Sequence, residues 1–132
     1  MPDRKELGKL GENLAAIYLQ EHGYHFIDRN YRTPFGEIDL ILSFVERAQD
    51  WNSSPLKTIV FIEVKSRRTS SLGPPEISVT SNKLAHMRSA AEYYISEHPE
   101  HQVDWRIDVI SVEIIHPDKE PVIHHFQNVT GI

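Results

Sequence analysis

Two apolar runs, Ile38-Asp39-Leu40-Ile41-Leu42-Ser43-Phe44-Val45 and Thr58-Ile59-Val60-Phe61-Ile62-Glu63-Val64-Lys65-Ser66, flank a polar stretch at residues 46–57 that holds Asn52, Ser53, Ser54 and Pro55. Both runs are rich in the β-branched and aromatic residues that strands favour, and the stretch between them supplies turn residues. Together they form a β-hairpin with a long tip. Strand side chains alternate faces, which puts Glu37, Asp39 and Ile41 on one side of the first strand and Ile38, Leu40 and Leu42 on the other. On the second strand Ile59, Phe61, Glu63 and Lys65 share a face, opposite Val60, Ile62 and Val64. The acids therefore lie on strands with apolar flanks, the pattern of interior strands, and Asp39 and Glu63 are expected to be partly desolvated.

Upstream of this hairpin, Leu7, Leu10, Leu14, Ile17 and Tyr18 recur at helical spacing, and Gly23 marks a stop. Residues 25–31 then form a short strand before the turn residues Pro34 and Gly36. Downstream, residues 69–75 carry serine, glycine and two prolines and form a loop. A second helix follows at residues 81–97, opening at Ser81, with Leu84, Met87, Ala91 and Ile95 on its apolar stripe and Pro99 just past its end. Residues 103–115 and 121–126 are two further strands. The order αβββαββ implies an α/β fold, a mixed sheet flanked by helices. At 132 residues the chain fits one domain, residues 1–132, with a core from about residue 7 to 126 and the hairpin loop at 46–57.

Composition narrows the chemistry. With 39% hydrophobic and 25% charged residues the chain buries a real core. It has no cysteine, which removes disulfides, thiolate metal sites and cysteine nucleophiles and suits a reducing cytoplasm. Residues 1–9 carry five charges, so no signal peptide is expected there, and no apolar run reaches the length of a membrane span. The net charge of −5 is unevenly spread. Residues 57–88 hold six basic side chains against two acids, whereas residues 89–132 hold two against eight. A polyanion is expected to bind the middle segment.

Desolvated carboxylates need a compensating charge. Two compensators are available: Lys65, on the face of Glu63, or a divalent cation, which favours carboxylate and carbonyl oxygens. The same spacing also suits an ordinary polar sheet face with cross-strand Lys–Glu pairs. Glu12 lies away from the leucine stripe of the first helix, among Gly8, Gly11, Ala15 and Leu19, a face small enough to lie against another backbone. It is either a surface glutamate or a side chain that reaches the site. Arg67 and Arg68 follow the second strand and are either a solvated strand end or phosphate contacts. Asp108, in an apolar strand, is a buried acid that pairs with Arg106 or Lys83, and a structural role suits it better than a catalytic one.

Gly11-Glu12 on the first helix, Gly36-Glu37-Ile38-Asp39-Leu40-Ile41 and Phe61-Ile62-Glu63-Val64-Lys65-Ser66-Arg67 together resemble the YraN-like family of small bacterial proteins. That family is grouped with the Holliday-junction-resolvase-like branch of the restriction-endonuclease-like nucleases. The resemblance runs from about residue 7 to 112 and includes Lys83 and Asp108. It implies a restriction-endonuclease-like fold in which Asp39 and Glu63 bind Mg²⁺ or Mn²⁺, Glu12 completes or supports the metal site, and Lys65 assists the attacking water or the phosphate. The expected activity is metal-dependent hydrolysis of DNA, including branched recombination or repair intermediates, with Arg67, Arg68 and Lys83 on the nucleic acid. The alternative is a catalytically weak nucleic-acid-binding or adaptor module on the same fold. A homodimer would suit a symmetric cut of two strands.

Other chemistries find little support. His124 and His125 are adjacent on a strand and point apart, His98 and His101 fall in a post-helix loop, and there is no HExxH, GxSxG, P-loop or GxGxxG. Trp51, in the polar tip, offers an indole that either stacks on a base or covers a neighbouring loop.

Overall fold

The computed structural model describes residues 3–46, 51, 55–68, 79–101, 103–115 and 119–130. Its elements are α1 (Arg4–Glu21), β1 (His25–Thr33), β2 (Gly36–Glu46), β3 (Leu56–Arg68), α2 (Ser81–Glu97), β4 (Asp104–Ile114) and β5 (Val122–Phe126), with a short 3-10 turn at Pro99–His101. This is the order expected from the sequence. The expected loop at 69–75 lies outside the described residues, as does most of the hairpin tip. Trp51 is described and is 92% exposed.

The five strands form one sheet in the order β1-β2-β3-β4-β5. Only β3 and β4 run parallel, as expected when the connection between them carries α2. The other neighbours are antiparallel. A helix covers each face. On one, Ala15, Ala16 and Leu19 of α1 meet Leu40, Leu42, Val60, Ile62, Ile110 and Val112. On the other, Ala90, Ala91 and Tyr94 of α2 meet Ile41, Ile59, Phe61 and Ile107. No helix among the described residues is long and apolar enough to cross a membrane.

Two details correct the sequence expectations. Helix α1 packs chiefly through its small-residue face: Gly11, Ala15, Ala16 and Leu19 are buried, whereas in the leucine stripe Leu14 and Tyr18 are only partly buried and Leu10 is 38% and Ile17 52% exposed. Small side chains let the helix backbone come closer to the sheet than a leucine row would. Helix α2 opens at Ser81 as expected, capped by Thr80, whose side-chain oxygen accepts from the Lys83 N–H at 3.1 Å. Finally, strict alternation fails at the start of β2, since Ile38 joins Ile41 in the core beneath α2.

The approach of α1 to β3 is closest at Gly11. A Cβ built there would lie 1.6 Å from Ser66 Oγ and 2.8 Å from Ser66 Cβ. Gly11→Ala is therefore expected to cost about 1–3 kcal/mol by overpacking, well beyond the small gain alanine brings to a helix. Chemical denaturation of the single variant and of Gly11→Ala in a Ser66→Gly background checks this, because removing the Ser66 side chain should recover more than half of the loss.

Candidate active site

The site arises where two paired strands part. β2 stays in register with β1 down to Gly36, but its pairing with β3 ends at Leu40 and Ile62. Beyond that point the N–H groups of β3 lack a strand partner on this side, and Asp39 supplies one. Its Oδ2 accepts from the Val64 N–H at 2.8 Å, and Oδ1 takes no hydrogen bond among the described residues. At the far end of this segment Gly36 has φ +132°, a backbone region that glycine tolerates. The turn before it is closed by Thr33, whose hydroxyl donates to the Gly36 carbonyl at 2.7 Å.

Asp39 sits in a cleft of about 460 Å³ between the parting strands and the start of α2, lined also by Glu37, Glu63, Asn82, Lys83 and His86. Burial pushes the Asp39 carboxyl up to about 7. The Val64 N–H pulls it down, and the charges of Glu63, Glu12 and Glu37 add to the rise. This is the desolvated, like-charged surrounding that shifts functional acids.

The compensating lysine for Glu63 is Lys83, brought over by α2, with Nζ 2.7 Å from Glu63 Oε1. Lys65, two residues along β3, makes no ion pair or hydrogen bond among the described residues and is half-buried. Glu12 lies beside the cleft, at its α1 side. Its Oε1 accepts from Arg29 Nη2 at 3.0 Å and from Asn30 Nδ2 at 3.1 Å, and the same Asn30 amide donates to Glu37 Oε1 at 3.1 Å. Asn30 manages this from a left-handed backbone, φ +52°, between the pairs Arg29–Leu40 and Tyr31–Ile38 and hence opposite Asp39. Arg29, Asn30, Asn82 and His86 were not singled out by sequence. Only Asn30 left a trace there, as a residue type that accepts positive φ.

The phosphate contacts expected at Arg67, Arg68 and Lys83 are placed differently from one another. Lys83 is in the cleft. Arg67 is ion-paired with the buried Glu113 on β4, and Arg68 is exposed at the end of β3. Asp108 does not line the cleft and lies on the other face of the sheet, the α1 face. Burial would raise its carboxyl, but His125, the Asn128 N–H and Arg106 outweigh that and hold it below the ordinary value. Arg106 rather than Lys83 is its cationic partner, at 3.1 Å.

Among the described residues no three aspartate, glutamate or histidine side chains converge on one ion-binding point. Asp39 and Glu63 share the cleft as a pair. Their donor set is hard oxygen, and among the described residues Asp39 has no cation against it, a combination that suits Mg²⁺ or Mn²⁺ held by one or two carboxylates with the rest of its shell water.

With this geometry in place, comparison with known sequences is informative. A model of the uncharacterised protein family UPF0102 matches residues 11–112. The chain belongs to UPF0102. It is 40% identical to a UPF0102 protein of Dehalococcoides mccartyi over 98% of this chain and 96% of the relative. A Thermodesulfovibrio yellowstonii relative is 44% identical, covering 95% and 96% of the two chains. One from Geobacter sulfurreducens is 40% identical, covering 94% and 88%. These names state a family and no activity. The UPF0102 match, residues 11–112, spans every residue that lines the cleft, Asp39, Glu63 and Lys83 among them, and also Glu12 and Lys65 outside its lining.

Proposed function

We propose that this UPF0102 protein is a Mg²⁺- or Mn²⁺-dependent endonuclease that hydrolyses phosphodiester bonds in DNA. The observation that carries the reading is Asp39, a desolvated carboxylate with one backbone N–H as its partner, facing Glu63 across strands that have parted to make a cleft. Asp39 and Glu63 would hold the cation. Bound there, it would supply Lewis-acid stabilisation of the charge that builds on the phosphate oxygens. Lys65, on the face of Glu63 and free of ion pairs among the described residues, contributes an ammonium to orient the attacking water or to meet the phosphate. Lys83 holds Glu63 with an ion pair at 2.7 Å, and a cation sharing that carboxylate would free the lysine to offer its charge to the phosphate. Glu12, fixed by Arg29 and Asn30, keeps further negative charge beside Asp39 and favours cation entry.

The Lys83–Glu63 pair also favours a second reading, an adaptor that binds nucleic acid with a self-neutralised cleft and does not cut. A cleavage panel separates the two. Linear duplex, single-stranded, flapped and four-way DNA are incubated with Mg²⁺ or Mn²⁺ and with chelator. The nuclease predicts metal-dependent products, with branched DNA preferred because phosphates from two arms can converge on one small basic face. Binding without cleavage of any substrate under either metal supports the adaptor.

A further inference from the structure

We infer that a second groove, on the α1 side of the cleft, is the track along which one strand of a nucleic acid reaches Asp39. The groove has a volume of about 450 Å³ and is lined by Arg4, Lys5 and Lys9 of α1 and by Arg32 of β1, with Glu12 and Glu37 where it meets the cleft. Glu37 lines both cavities, so the two adjoin at that side chain. This inference rests on the nuclease reading of the cleft and names the surface that delivers its substrate.

Segment charge conceals the groove. Residues 1–56 carry more acids than bases, so the count along the chain points elsewhere. Helical geometry sorts them. Lys5, Gly8, Lys9 and Glu12 are spaced by three, one and three and share one face of α1, while Arg32 is brought to the same face by the β1–β2 pairing. Gly8 has no atom within 4 Å of where a Cβ would stand, which leaves the floor between the cations open.

The cations are available. Among the described residues Arg4, Lys5 and Lys9 make no ion pair or hydrogen bond, and Arg32 has only a long 3.7 Å contact with Glu37. By contrast Arg67 and Lys83 are already engaged with Glu113 and Glu63. From Lys5 to Glu12 the helix rises about 10 Å. The charge then changes sign toward Glu12 and Glu37, where a bound divalent cation would continue the positive path. One helix face and one strand end are wide enough for a single phosphodiester strand, held through its phosphates and without regard to sequence.

The test measures binding of a fluorescent flapped DNA in chelator, across a salt series, for the full-length protein and for Lys5→Gln, Lys9→Gln and Lys119→Gln. Lys119 is exposed and precedes β5, at the opposite edge of the sheet from β1. Each groove variant is expected to weaken binding roughly three- to tenfold at low salt and to reduce the salt slope by about one, while Lys119→Gln changes neither beyond twofold. With Mg²⁺ added, the groove variants should raise KM and leave kcat in place. Unchanged binding in both groove variants, or an equal loss in Lys119→Gln, overturns the groove. Because the binding arm contains no metal, it stands apart from catalysis. Groove-dependent binding by a wild-type protein that never cuts would reject the nuclease and keep the groove, and normal cutting with groove-independent binding would do the reverse.

Discussion

Asp39→Asn is expected to lower Mg²⁺-dependent cleavage by at least about 10³-fold, since several kcal/mol of Lewis-acid stabilisation is lost with the cation at 1.36 kcal/mol per decade. The substitution keeps the side-chain shape and an oxygen to accept from the Val64 N–H, so the parted strands should stay in place. Stability should move the other way. The Asp39 carboxyl is raised to about 7 from an ordinary 3.8, so the folded state holds a proton that the unfolded chain has already released. Its contribution is complete below about pH 4 and is lost as pH rises through 7. Wild-type stability should therefore fall between pH 4 and 7, while the asparagine variant, with no charge to desolvate, escapes that loss and melts several degrees higher at pH 8. Equal melting below pH 4 and a gap that widens from there to pH 8 would identify the carboxylate as the source. A variant that is inactive and also less stable at pH 8 would indicate misfolding in place of a lost ligand.

Asp108→Ala is expected to be the most destabilising single change, about 3–5 kcal/mol, or some 10–20 °C in melting temperature for a chain of this length. Asp108 is fully buried, and its carboxylate meets Arg106, His125 Nε2 at 2.8 Å and the Asn128 N–H at 2.8 Å. Arg106 in turn donates to the Tyr24 hydroxyl at 2.8 Å. The network ties the chain after β5 to β4 and to the α1–β1 junction, and removing the acid strands a guanidinium and an imidazole in the core. With its carboxyl held below the ordinary value, Asp108 contributes stability above about pH 4 that is lost as pH falls. Thermal melts at pH 7 check the size of the effect. Cleavage per folded molecule at low temperature should be unchanged, because Asp108 lies on the opposite face of the sheet from the cleft, and a selective loss of turnover would give it a different role.

Much of the fold was legible because its signals are local. The apolar runs of β2 and β3 and the helical period at residues 81–97 each depend on a few neighbouring residues, and both are found in the structure. The face of α1 was not, because the helix carries two stripes, one of leucines and one of glycine, alanine and Leu19. Which one packs depends on how closely the sheet lets it approach at Ser66, a fact held in another element. Alternation put Asp39 and Glu63 on charged faces, and both do line the cleft. It could not show that β2 joins β3 only from Leu40 onward, which turns Ile38 inward and gives Asp39 a backbone donor. The choice between Lys65 and Lys83 as partner of Glu63 was equally out of reach, since Lys83 arrives across a crossover that no spacing encodes. The basic groove on α1 was hidden by summing charge along the chain, when the fold sums it across a surface.

The central claim is that Asp39 and Glu63 bind a divalent cation in one cleft, and calorimetric titration with Mn²⁺ at pH 6 and pH 8 tests it most directly. A ligand must shed its proton before it coordinates, so affinity should fall about tenfold for each pH unit below 7, with proton uptake by the buffer, and binding should vanish in Asp39→Asn. Binding that is independent of pH, or that survives in Asp39→Asn, or no binding by the wild-type protein at pH 8, would contradict the account.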